Sequence, residues 1–222
     1  MIATFPFKPA TPALYARVVD LYRQEMGMRV VPKDRSPLMK FFAQNILSRG
    51  GIVDSAQFME RFSTTIYLPF RGPVSFVNWA DETQNSRTLC SRIMTLAHEA
   101  QHVAQMGSSA RSRRAFSTGY VMSGRYRAKM EVEAYKLTIA LASCVTWEDG
   151  QYGFAQGDTV SDEQIRRAEA AAEASATALE SYGLSPDTLE RAQKELRLAA
   201  QKPLDGLNCR AGRLLMRTDF GE

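Results

Sequence analysis

The chain holds only two histidines in 222 residues, and they stand four apart in His98-Glu99-Ala100-Gln101-His102. This pair constrains the fold more than any other feature. Imidazoles four apart serve one ion together only on a helix, where they lie about 40° apart around the axis. The spacing of apolar residues predicts such a helix from about Ser86 to Gln105, ended by Gly107. With His98 as origin, Leu89, Ile93, Leu96, Ala100 and Val103 cluster on the far side, between roughly 140° and 220°. The histidines share a second face with Met94, Thr95 and Gln105. Given two histidines, this spacing with Glu directly after the first arises by chance about one time in a thousand.

Glu99 points roughly 100° away from His98, so it can contact a water on the ion without occupying a coordination position. A divalent metal held by neutral imidazoles keeps open positions and lowers the pKa of its water to about 7. Glu99 is then the expected general base, returning the proton to a leaving amine after attack on a carbonyl. The third ligand must come from elsewhere, and a helix predicted from about Arg125 to Cys144 offers Glu131 and Glu133 on faces about 200° apart. Glu133 lies with Lys129, Lys136 and Ala140 on a solvated, charge-paired stripe. Glu131 lies with Ala134, Tyr135, Thr138 and Ala142, flanked by Val132, Leu137, Ile139 and Leu141. On that inner face an unpaired carboxylate is costly and a metal would partner it, so the expected metal ligands are His98, His102 and Glu131.

Thr95 to Ala104 resembles the extended HExxH signature of zinc metallopeptidases, and Glu131-Val132-Glu133-Ala134 resembles the glutamate helix of the gluzincin branch. The resemblance independently implies Glu131 as third ligand, one Zn2+ per chain and hydrolysis of peptide bonds. The metzincin continuation is absent: Gln105 stands where its glycine would be, and there is no third histidine. The resemblance covers about residues 63–144. It implies a short sheet whose edge strand, residues 64–70 or 74–77, holds an extended peptide above the histidine helix. For stabilising the developing oxyanion, Tyr120, Tyr126 and Tyr135 are candidates by nearness in sequence, with Tyr135 first because it shares the Glu131 face. Arg127, about 40° from Glu131's direction, is a further candidate contact.

The rest of the chain reads as helical, with one β-rich stretch. Thr11-Pro12 starts a helix ending near Gly27, Ser36-Pro37 starts another through Leu47, and a brief one follows Ser55. Thr64 to Phe70 and Val74 to Val77 read as two short strands or a hairpin around Arg71-Gly72-Pro73. Residues 107–124 read as a loop and 147–160 as a connection. Ser161 with Gln164 is a capping-box pattern opening an alanine-rich helix to Tyr182-Gly183, and Ser185-Pro186 starts the next. The fold class expected is therefore α+β, predominantly helical: a zincin-like core over 1–150 and a C-terminal helical extension over 151–222, or both as one domain. The thin stripe Ile165, Ala168, Ala172, Ala176, Leu179 and Tyr182 serves either to close that domain or to meet a partner or second copy.

Composition limits the partners. A net charge of +4 is too small to argue for nucleic acid, and the aromatic residues interleaved with Arg111 to Lys129 are few. That basic run reads as a solvated surface, or as a flank of the cleft that favours acidic peptides. No membrane-spanning run and no standard secretory signal is read, and Cys90, Cys144 and Cys209 read as free thiols of a reducing compartment, so a cytoplasmic location is expected. Two rivals stay open beside the peptidase: a structural or assembly protein whose metal only ties two helices, and a metallohydrolase of non-peptide amides or esters.

Overall fold

A computed structural model describes residues 4–32, 58–59, 65–68 and 85–218. The helix expected from Ser36 and the strand expected at 74–77 lie outside these residues. So does most of the helix expected after Ser55, of which Phe58 and Met59 are described, as strand.

The chain begins with strand β1 (Phe5–Pro9) and helix α1 (Pro12–Met26). Thr11 Oγ1 accepts the amide of Leu14 at 3.1 Å, which satisfies one of the orphan donors of the first turn. Leu14, Tyr15, Val18, Val19, Leu21 and Tyr22 line the buried side of α1. Strands β2 (Arg29–Pro32), β3 (Phe58–Met59) and β4 (Thr65–Leu68) form one small sheet, with β4 in the middle, parallel to β2 and antiparallel to β3. Of the strand predicted at 64–70, the described part, Thr65–Leu68, is a strand but an interior one. It is paired on both sides, so it does not offer the free edge that an added peptide needs.

Two 21-residue helices, α2 (Ser86–Met106) and α4 (Gly124–Cys144), dominate the middle of the chain. Asn85 caps α2 through Thr88 N at 2.8 Å. Between them the predicted loop is instead helix α3 (Ala110–Met122). The serines that suggested a loop are its caps: Ser109 Oγ accepts from Ser112 N, and Ser123 closes α3 and opens α4. Its apolar side is short, with Phe116 stacked on Tyr120 one turn later at 5.6 Å.

The predicted connection at 147–160 is likewise ordered, as the hairpin β5 (Val145–Glu148) and β6 (Gln151–Gln156). Asp149 and Gly150 have φ of 48° and 80°, the left-handed pair that a two-residue hairpin turn demands and that Asp-Gly supplies at low cost. β6 is the centre of a second sheet, antiparallel to both β1 and β5. The expected boundary at residue 150 therefore falls inside this turn, and β6 on its far side pairs with β1.

Helix α5 (Asp162–Ala178) opens with the complete Ser161–Gln164 capping box and ends in a 3-10 turn (Leu179–Tyr182). Helix α6 (Pro186–Ala200), a second 3-10 segment (Pro203–Asn208) and α7 (Arg210–Thr218) complete the described residues. Ala168, Ala172, Ala176 and Leu179 bury themselves against Ala128, Val132 and Ile139 of α4 and against Ala192, Leu196 and Ala200 of α6. The thin alanine stripe thus closes on the chain's own central helix. On the other side of α4 a larger core joins α1, α2, β6, the 203–208 segment and Ala211 and Leu215 of α7. The molecule is predominantly helical with small sheets, and no helix among the described residues is long and apolar enough to cross a membrane.

Candidate metal centre

The far side of α2 is core, as its periodicity predicts: Leu89, Ile93, Leu96 and Ala100 are fully buried and Val103 nearly so. The histidine side is covered too, by α4, so His98 and His102 are 8% and 4% exposed. Small residues allow this approach. Ala134 is buried at the crossing, and Thr138 lies one turn further along α4, level with His98. The same face carries Glu131, 1% exposed, directly opposite the two rings.

The two rings and the carboxylate converge closely. The Nε2 atoms of His98 and His102 are 3.2 Å apart, Glu131 Oε2 is 3.6 Å from His98 Nε2, and Oε1 is 3.4 Å from His102 Nε2. Ligand atoms about 2.1 Å from a tetrahedral ion stand about 3.4 Å from one another, and each of these contacts, which between them involve both oxygens of Glu131, is close to that spacing. His98, His102 and Glu131 are also the only group of three or more potential ligands that converges in this way among the described residues.

Neighbouring side chains fix which ring nitrogens face inward. Gln105 gives its amide hydrogens to Met130 O at 3.0 Å and Glu133 Oε2 at 3.2 Å, so its Oε1 is left to accept from His102 Nδ1 at 2.9 Å. Thr138 Oγ1 donates to Ala134 O and accepts from His98 Nδ1 at 3.3 Å. Both Nδ1 atoms therefore carry hydrogen, and both Nε2 atoms face one spot. Two lone pairs at 3.2 Å would repel, so in the metal-free protein a proton stands between the rings, and a bound metal would take its place. Glu131 Oε2 is buried without a hydrogen-bond partner, which is costly for a carboxylate oxygen. The donor set fits a divalent metal, and these three residues could hold one.

The electrostatics of the metal-free site run the same way. Burial disfavours a charged His102, but the Glu131 carboxylate outweighs it and pushes the imidazole up to about 9. Burial would raise the Glu131 carboxyl, yet the two imidazoles hold it well below the usual carboxylate range. The site draws in positive charge, as a proton or as a metal.

Glu99 is half-buried next to this centre, and its charge acts on His102, Tyr120 and Tyr135. Tyr135 packs its ring on His98 at 4.6 Å; burial and Glu131 push its phenol up to about 12. Tyr120, from α3, reaches furthest in: its hydroxyl donates to Glu131 Oε1 and its ring stands edge-on to His102 at 6.1 Å. Burial, then Glu131, keep this phenol protonated. Tyr126 goes elsewhere, packing on Phe116 at 6.2 Å beside Met106 and Met130. Arg127 braces the wall: Nη1 donates to Tyr182 O at 3.0 Å and the guanidinium lies 5.9 Å over Tyr120.

Glu133, the rejected ligand, accepts from Gln105, while its neighbour Lys136 pairs with Glu195 of α6. Cys90 is packed in the core against Gly153 O, and all three cysteines are free thiols. Gln105 and Thr138 are the residues that the sequence does not single out for the site. Their only advance signal is position, one on the histidine face of α2 and the other on the Glu131 face of α4.

No protein-family model matches the chain, and no curated protein or solved structure matches it.

Proposed function

We propose that the protein is a zinc-dependent peptidase of the gluzincin type, built on a zincin-like core. The observation that carries this is the buried cluster of His98, His102 and Glu131 with both Nε2 atoms turned inward. Two neutral imidazoles and one carboxylate, without thiolate, suit zinc. When bound, the ion would polarise a substrate carbonyl and acidify water, leaving the proton traffic to the protein. Glu99 takes that role: it is beside the centre and outside the ligand set, so it can accept a proton from the attacking water and pass it to the leaving amine. Tyr135, held on His98 and protonated throughout the neutral range, is the side chain placed to donate to the oxyanion.

Deep burial of all three ligands favours a second reading, a metal that only ties α2 to α4. Against it stands the ligand count, since structural zinc prefers four protein ligands with thiolates. Glu99→Gln separates the two. The peptidase loses cleavage of a broad peptide library while its zinc content is unchanged. Full activity in that variant, or no cleavage by the zinc-loaded wild type, overturns the proposal.

A further inference from the structure

The two oxygens of Glu131 are not equivalent. Oε1 accepts the Tyr120 hydroxyl as well as standing 3.4 Å from His102 Nε2, whereas Oε2 is buried with no hydrogen-bond partner and lies 3.6 Å from His98 Nε2. Tyr120 is itself held from two sides, stacked on Phe116 at 5.6 Å and overlaid by the Arg127 guanidinium, which is anchored on Tyr182 O.

We infer that Tyr120 is a positioning residue that fixes Glu131 as a one-oxygen ligand. This rests on the metal-site reading above and adds a role for α3 to it. Both oxygens face the rings, but with Oε1 engaged by the phenol, Oε2 is the oxygen that would be left to bind the ion, and the protein would contribute three ligand atoms in total. A carboxylate free at both oxygens can bind through either one or both. Tyr120 thereby preserves open positions at the ion, the feature that distinguishes catalytic from structural zinc sites. It acts through Glu131 and needs no contact with substrate.

The test is Co2+ loading of the full-length wild type, Tyr120→Phe and Glu131→Ala, read by visible absorption. Tyr120→Phe keeps the ring that packs on Phe116 and His102, and removes only the donor. Once Glu131 binds through both oxygens the coordination number rises, and the d–d bands should lose roughly half their intensity, as for a change from four- to five-coordinate geometry. Identical spectra for wild type and Tyr120→Phe overturn the inference while leaving the metal site standing. If wild type and Glu131→Ala take up Co2+ with the same affinity and spectrum, the metal-site reading itself fails. Should Tyr120→Phe not fold, infrared difference spectra of the zinc-loaded and metal-free wild type decide. A carboxylate stretch separation wider than in the free ion supports one-oxygen binding, and a narrower one refutes it.

Discussion

Gln105 Oε1 accepts the Nδ1–H of His102 at 2.9 Å, while the same side chain's amide holds Met130 O and Glu133 of α4. One residue thus sets the tautomer of a ligand ring and ties the helix that brings the third ligand.

Removing that acceptor should cost metal affinity without removing any ligand. Gln105→Leu is expected to weaken zinc binding by about 10–100-fold, and Thr138→Val, whose contact with His98 is longer at 3.3 Å, by less. Competition with a fluorescent chelator measures both. Equal affinity in wild type and Gln105→Leu would mean that the ring orientation is set by packing alone.

The proton on the metal-free site gives a pH dependence of defined sign. His102 is raised from 6.5 to about 9, so its stabilising contribution is fully present below pH 6.5 and is lost as pH rises through 9. Glu131 is shifted the other way, and its share is present above 4.5 and is lost as pH falls below that value. In EDTA, Tm should therefore decline between pH 6.5 and 9, and this decline should shrink in Glu131→Gln. Zinc must displace the same proton, so its affinity should climb over that window and binding should release protons at pH 7.5, seen by calorimetry in buffers of different ionisation enthalpy.

The 203–208 segment packs so closely on α4 that a Cβ at Gly206 would stand 2.1 Å from Lys136 O, a backbone atom that cannot swing aside. Gly206→Ala should cost about 1–3 kcal/mol through overpacking. At this chain length that lowers Tm by roughly 2–12 °C. An unchanged Tm would show that this segment is free to lift from α4.

Thiol chemistry probes the same core. Burial pushes Cys90 up to about 12 and Cys144 up to about 11, so neither offers appreciable thiolate at pH 8. An aromatic disulfide reagent should label no more than Cys209 in the native protein and all three in denaturant. Rapid native labelling of Cys90 would contradict the packing of β6 on α2.

Long, strongly patterned elements are legible from sequence for a physical reason. In α2 the apolar stripe and the histidines sit on different faces, and in α4 small residues mark Glu131 as inward, although Glu133, expected in a lysine-paired solvated stripe, is half-buried and bonded to Gln105 instead. Facial reasoning therefore reaches Glu131 without knowledge of any contact. It does not reach α3, because Gly119 and four serines between 108 and 118 mask a helix held by its caps and by the packing of Phe116 and Tyr120 against α2 and α4. The β5–β6 hairpin escapes it although Asp149-Gly150 carries the turn, because alternation over only four and six residues is a weak signal. Gln105, Thr138 and Tyr120 owe their roles to how α2, α3 and α4 cross, and a single chain's periodicity holds no record of that crossing.

Native mass spectrometry of zinc-loaded protein, wild type beside Glu131→Ala, addresses the three-ligand centre directly. One zinc per wild-type chain, with strong loss of the ion in Glu131→Ala and retention in Glu133→Ala, is the predicted result. A wild type that takes up no zinc, or a Glu131→Ala variant that retains it in full, would contradict the account.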